Sequence, residues 1–286
     1  MAVPDCAVAS LEAGESLTGT AVESVDRWLL LEVTDPWAPK ALETEALPPS
    51  VRVRLSDWLE APRSRMQLIR RPGRSRRRPI FMMVSSAPDR QHSSRVELDQ
   101  YEDLLDLDLD LDTLPAEPSE PICLVCVHGR RDRCCGVLGS AAFRAIQSQG
   151  VEVWQTSHLG GHRFAPCALW LPEGLMYGRL KPEHVDAWVA ARRARQIGEL
   201  DLFRGRCSYD RPSQAAEIFL IRRLGLQSAN EIEWLGTESE SDSSWVARFT
   251  TPSGDETVRL RLEQSAVARP ASCGGEPEAV TEFVEG

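Results

Sequence analysis

The chain has 286 residues, 42% of them hydrophobic and 27% charged, enough to bury a core and to form one elaborated domain or two. Its 33 lysines and arginines stand against 43 aspartates and glutamates, a formal net charge of -10 that opposes a phosphate backbone, so nucleic acid is excluded as an expected partner. No apolar run approaches the ~18 residues of a membrane span. The opening Met1-Ala-Val-Pro-Asp-Cys6 has neither the basic nor the apolar segment of a secretory signal, so a cytoplasmic location is expected, with no membrane partner. In that compartment the eight cysteines read as ligands, redox groups or buried hydrophobes rather than structural disulfides.

In chain order, Arg27 to Val33 is a short apolar run ended by Asp35-Pro36 and predicts a buried strand. Pro48-Pro49 opens a helix over Val51 to Glu60 that Pro62 stops. Met66 to Arg70 and Pro79 to Val84 predict two more strands, which together make a smaller α/β domain with its helix on a sheet. The basic run from Arg70 to Arg78 has Pro72-Gly73 near its centre and reads as a solvated turn, with a docking surface for an acidic redox partner as the alternative. Leucine alternates with aspartate from Leu104 to Leu111, which predicts an acidic edge strand; the glycine and closing glutamate of a calcium loop are missing. The Pro-rich stretch that follows is linker-like, and the domain boundary is set near Pro118, giving an N-terminal domain over 1–118.

Ile122 to Val127 is a continuous apolar run suited to a central strand. Cys123 and Cys126 have C-x-x-C spacing, but residues three apart in a strand point to opposite faces. Cys123 is therefore assigned to the core and Cys126 to the strand's exit. Apolar residues recur at helical spacing from Gly136 to Gln149, and Gly150 stops them, so Cys135 sits at a helix N-terminus where dipole and free amides favour a thiolate. Val151 to Trp154 is the next strand and leads to His158. Leu159-Gly160-Gly161-His162 is poor helix and reads as a loop whose glycines admit a bulky inorganic core between two imidazoles. A hairpin over 167–180 and a helix over 182–195 complete the order of a thioredoxin-like domain, placed at 119–204. Beyond it, an amphipathic helix from Ser213 to Leu224 and strands at 231–235, 244–250 and 256–262 make an antiparallel β appendage over 205–267. Pro, Ser, Gly and Glu dominate from Ala268 onward, and 268–286 is expected to be a disordered tail.

Cys126, His128, Arg131, Asp132, Cys134 and Cys135 crowd into ten positions. With Cys-x-His-Gly-x-Arg-Asp-x-Cys-Cys-Gly at 126–136, His-x-Gly-Gly-His-Arg-Phe-Ala at 158–165 and Leu-Pro-Glu-Gly-Leu-Met-Tyr-Gly-Arg at 171–179, the chain resembles the sucrase/ferredoxin-like family. That family contains thioredoxin-like [2Fe-2S] ferredoxins, some holding the cluster with two cysteines and two histidines. The resemblance implies a [2Fe-2S] cofactor on Cys126, Cys135, His158 and His162. Cys134 is the alternative to Cys135, although the cysteine followed by glycine fits the motif better.

Two thiolates offset the charge of an oxidised cluster core where four would exceed it, so the potential is expected to lie above that of an all-cysteine ferredoxin and to fall as pH rises. A Cys2His2 zinc site uses the same donors. A thiol-disulfide oxidoreductase using Cys134 and Cys135 is the reading from another class, weakened because adjacent cysteines close a strained ring. A Rieske centre would need a second Cys-x-x-His pair, so His128 is assigned beside the ligands, as are Arg131, Asp132, Cys134 and Arg163. Cys6, Cys167, Cys207 and Cys273 are assigned to packing. Electron transfer to and from a redox partner protein is the expected function; no carboxylate pair supports a hydrolase, and a homodimer is left open.

Overall fold

A computed structural model describes residues 5–71, 78–111, 113 and 120–286. α1 (Cys6–Glu12) starts at Asp5, whose carboxylate accepts the Ala7 amide at 3.2 Å. β1 (Arg27–Glu32) follows, and its side chains alternate: Trp28 and Leu30 join one buried cluster, Leu29 and Leu31 another. That is the period of two of a strand covered on both faces. α2 (Pro49–Leu59) lays Val51, Leu55 and Trp58 on the Leu29 side, with Pro49 in the first turn where no amide donor is needed. β2 (Ser64–Arg70) runs parallel to β1, while β3 (Ile80–Ala87) and β4 (Arg90–Glu97) extend the sheet antiparallel on its other side.

β5 (Ile122–Cys126) is wholly buried. α3 (Arg133–Ser148) carries the chain across to β6 (Val153–Thr156), which is parallel to β5. β7 (Ala168–Leu171) and β8 (Leu175–Tyr177) return as an antiparallel hairpin, and α4 (Val185–Arg193) follows. The local order β6-β5-β7-β8, with β7 antiparallel to β5, is the thioredoxin-like arrangement, and β9 (Phe203–Arg206) adds to its edge. One nine-stranded sheet, β4-β3-β1-β2-β6-β5-β7-β8-β9, runs through both halves, joined where Ile69 pairs with Thr156 and Arg70 with Gln155. α5 (Arg211–Leu224) then packs Ala215, Ala216 and Ile218 into a cluster with Phe249, Leu260 and Phe283. Those aromatic and aliphatic groups belong to a separate antiparallel sheet of β10 (Glu233–Ser241), β11 (Ser244–Thr251), β12 (Gly254–Pro270) and β13 (Pro277–Glu285).

The α/β class, the helix over residues 51–60, the central strand and the antiparallel appendage are as expected from sequence. Two expectations are corrected. The Leu/Asp alternation is not an edge strand: Tyr101–Leu105 is a 3-10 turn, and Leu104, Leu109 and Leu111 all turn into the cluster under α2. The backbone there bonds to side chains instead of a ladder, with Leu107 and Leu109 carbonyls accepting from Arg54 and Trp58 at 3.2 and 3.0 Å. The edge strand on this side of the sheet is β4, whose polar composition hid it. The stretch from 268 is not a disordered tail either, because β12 runs to Pro270 and β13 pairs back along it, burying Val280 and Phe283 among the acidic residues that masked them. The centre of the basic run and the boundary near Pro118 lie outside the described residues. Among the described residues, no helix is long and apolar enough to cross a membrane.

Candidate metal centre

β5 delivers Cys126 to the edge of the core. Cys123 and Val125 face the α3 side while Ile122, Leu124 and Cys126 face the other, which separates the two cysteines of the C-x-x-C spacing. α3 begins at Arg133 after a short turn, capped by Asp132, whose Oδ1 accepts the Cys134 amide at 2.9 Å. Cys135 therefore lies in the first helical turn, where unpaired amides favour negative charge. Two glycines let helix and strand meet this closely. A Cβ on Gly139 would stand 1.9 Å from the Cys126 carbonyl oxygen, and one on Gly136 would stand 2.8 Å from Gly129 Cα.

The imidazoles come from the loop after β6. Gly160 and Gly161 have φ of 99° and 68°, in the left-handed region that glycine enters without strain. A Cβ on Gly161 would also strike the Arg204 guanidinium at 2.4 Å. Arg204 is 2% exposed and donates to the Gly160 carbonyl at 3.0 Å. Arg65 donates to the carbonyls of His158 and Leu159 at 3.3 and 3.2 Å. Two cations thus pin the loop through its backbone, so the ring positions depend little on surface conformation.

One donor atom from each of Cys126, Cys135 and His158 lies within 4.8 Å of the others, and Cys135 Sγ is 3.9 Å from His158 Nδ1. The Cys135 thiol beside Cys126, with the His158 ring, holds the Cys126 thiol well below its ordinary value although burial alone would raise it. Cys135 is pushed up in turn, first by Cys126 and then by burial. The His162 ring centroid is 5.2 Å from that of His158. His162 turns Nε2 toward Asp132 Oδ2 at 3.9 Å, and its Nδ1 is buried without a hydrogen-bond partner. Burial lowers the His162 pKa, and the Asp132 carboxylate opposes that shift. Two thiols, one near imidazole and a second imidazole with an orphaned nitrogen are a donor set that fits a thiophilic metal or a mixed Cys/His cluster.

The flanking residues take different places. His128 is buried with both ring nitrogens unpartnered, edge-on to Trp37 at 5.7 Å, and burial lowers its pKa. Arg131 is exposed and, with Arg65, His128 and Ser157, lines a cleft of about 550 Å³ that opens beside His158. Arg163 turns away to Glu15 at 2.8 Å. Cys134 and Cys135, adjacent in sequence, face different neighbours: Cys135 meets Cys126, whereas Cys134 meets Cys6 at 3.5 Å and Cys273 at 3.2 Å. The assignment of Cys167 and Cys207 to the core holds. Cys6 and Cys273 are packed as well, against Cys134, Ala7 and Ala165, and their thiols meet in a second cluster that no local spacing could have announced, since 267 positions separate them.

Fold and donor set together define an α/β protein whose thioredoxin-like half carries a cysteine- and histidine-lined centre. Residues 17–205 match the sucrase/ferredoxin-like family, and the chain belongs to that family. Over 98 residues it is 32% identical to altered inheritance of mitochondria protein 32 from Meyerozyma guilliermondii, covering 30% of this chain and 35% of that protein. The match thus spans about a third of the relative's length. A solved structure, a cysteine-to-serine variant of the thioredoxin-like [2Fe-2S] ferredoxin from Aquifex aeolicus, aligns with 20% identity and a TM-score of 0.26 over 29% of this chain and 97% of that one.

Proposed function

We propose that this protein is a one-electron carrier whose [2Fe-2S] cluster is held by Cys126, Cys135, His158 and His162. The observation that carries the reading is the convergence of Cys126, Cys135 and His158 donor atoms within 4.8 Å at the junction of β5 and α3. When bound, the cluster supplies a site that accepts and returns a single electron.

The chain's own groups set the conditions. Cys126 and Cys135 supply negative charge that the first turn of α3 supports, and the two imidazoles supply neutral donors, so the centre is less negative than one held by four thiolates and easier to reduce. Asp132 faces His162 Nε2 and favours a proton on that nitrogen. Added electron density at the centre makes the rings more basic, so the potential is expected to fall as pH rises. A redox partner protein would reach the centre through the cleft beside His158, which is half-buried, as His162 is. The separate environments of Cys134 and Cys135 speak against a dithiol pair. Cys126→Ser and His162→Ala, each made alone, are expected to abolish the visible absorbance and the bound iron; variants that keep both would remove the ligand assignment.

A further inference from the structure

Three cysteines from distant parts of the chain meet at the start of α3, and a His162 ring nitrogen lies within 4.8 Å of the Cys6 sulfur. Cys134 Sγ lies 3.5 Å from Cys6 Sγ and 3.2 Å from Cys273 Sγ, and Cys273 Sγ lies 3.6 Å from Cys6 Sγ. All three are free, and Cys6 and Cys134 are buried. Sulfurs bound to one tetrahedral zinc at about 2.3 Å stand ~3.8 Å apart, the edge of the tetrahedron. A disulfide would draw two of them to ~2.05 Å and leave the third without a partner. Three near-equal separations fit the first arrangement.

The fourth corner is also occupied by a donor. Asp5 contacts Cys134 Sγ, and donor atoms of Asp5, Cys6, Cys134 and Cys273 lie within 4.8 Å of one another. Asp132 lies against the group: Oδ1 accepts the Cys134 amide at 2.9 Å and Oδ2 the Cys273 amide at 3.1 Å, and Oδ1 also meets Cys273 Sγ at 3.3 Å and Cys6 Sγ at 3.8 Å. Arg133, 3.6 Å from Asp5 Oδ2, and the N-terminus of α3 offset the negative charge that three thiolates and a carboxylate would bring. We propose that Cys6, Cys134, Cys273 and Asp5 form a structural zinc site, separate from the Cys126 centre, that ties α1 and the β12–β13 turn to the helix carrying Cys135. Four protein donors around one ion leave no open position, which suits a structural rather than a catalytic metal.

The proposal does not rest on what occupies the Cys126 centre, although His162 stands near both sets of donors, and the test reads the two metals separately. Zinc and iron are measured in the full-length protein after dialysis against a zinc salt and then buffer, for the wild type, Cys273→Ser, Cys273→His and Cys126→Ser. The wild type is expected to keep about one zinc per chain. Cys273→Ser loses that zinc and keeps its iron and visible absorbance, Cys273→His retains the zinc because imidazole can replace a thiolate, and Cys126→Ser loses iron but not zinc. Cobalt loaded in place of zinc should give a thiolate-to-metal charge-transfer band that Cys273→Ser lacks. Cys273 sits half-buried in a turn, so its replacement tests the site without emptying the core. Wild-type protein that retains no zinc, zinc content unchanged in Cys273→Ser, or joint loss of iron and zinc in that variant would each overturn the proposal. Absence of iron alone would sink the electron-carrier reading and leave this one standing.

Discussion

Gly139 sets how closely α3 approaches β5, because its missing Cβ would fall 1.9 Å from the Cys126 carbonyl oxygen. On an exposed helix, Gly→Ala gains roughly 1 kcal/mol of propensity. Here both clashing atoms belong to rigid backbone, so overpacking wins and Gly139→Ala is expected to destabilise the protein by roughly 1–3 kcal/mol, read as a lower denaturant midpoint at unchanged slope. The same shift would carry Cys135 away from Cys126. At the imidazoles the prediction is electronic: His158→Cys adds negative charge to the centre, so the midpoint potential should drop and its pH dependence weaken. Voltammetry across neutral pH checks both, and a potential that stays put would contradict the ligand role of His158. Cys126 and the Gly-Gly loop could be read from sequence because local rules govern them, a strand's two-residue period and glycine's access to positive φ. The cluster of Cys6, Cys134 and Cys273 could not, since only tertiary folding brings those segments together.

Strand β5, helix α3 and the loop 158–162 present the donors, and the helix and the loop are each held by a buried side chain, Asp132 and Arg204. Arg204 donates to the carbonyl of Gly160 and to Thr20, joining the loop to the segment ahead of β1. Arg204→Met keeps the volume but leaves those oxygens unpaired, at a cost of roughly 1–3 kcal/mol for each buried group. Cluster retention should fall about 10–100-fold, as for the loss of an orienting contact around metal ligands, measured as the rate of iron release to a chelator. Strand β5 and helices α2, α3 and α5 were legible because their apolar periodicity is unbroken. β4 and β13 were not: each buries only a few groups on one face, and their glutamates, arginines and serines read as loop until a neighbouring strand supplies the ladder.

Across the whole molecule, Glu15 links segments that are remote in sequence. It is 3% exposed and is met by Arg163 at 2.8 Å, by Arg269 of β12 at 2.6 Å and by Ser10 of α1 at 2.7 Å. Burial would raise its pKa, but the two guanidinium groups outweigh that and hold it below the ordinary carboxylate value. A depressed folded pKa means the stabilisation is complete above the unfolded value of about 4.3 and is lost as pH falls through the folded one. Glu15→Gln should therefore be less stable than wild type at about pH 6, with the gap closing at about pH 3, as urea midpoints at the two pH values would show. One sheet through both halves, with Cys6 of α1 and Cys273 of the β12–β13 turn drawn to α3, makes the candidate centre depend on more than the middle third of the chain. The measurement that bears most directly on the central claim is iron and acid-labile sulfide per chain, with an EPR spectrum after reduction, in anaerobically purified wild type and Cys126→Ser. The account predicts about two irons and two sulfides in the wild type, a signal from one unpaired electron, and none of these in Cys126→Ser. Wild-type protein without iron, from which Cys126→Ser releases zinc instead, would contradict it.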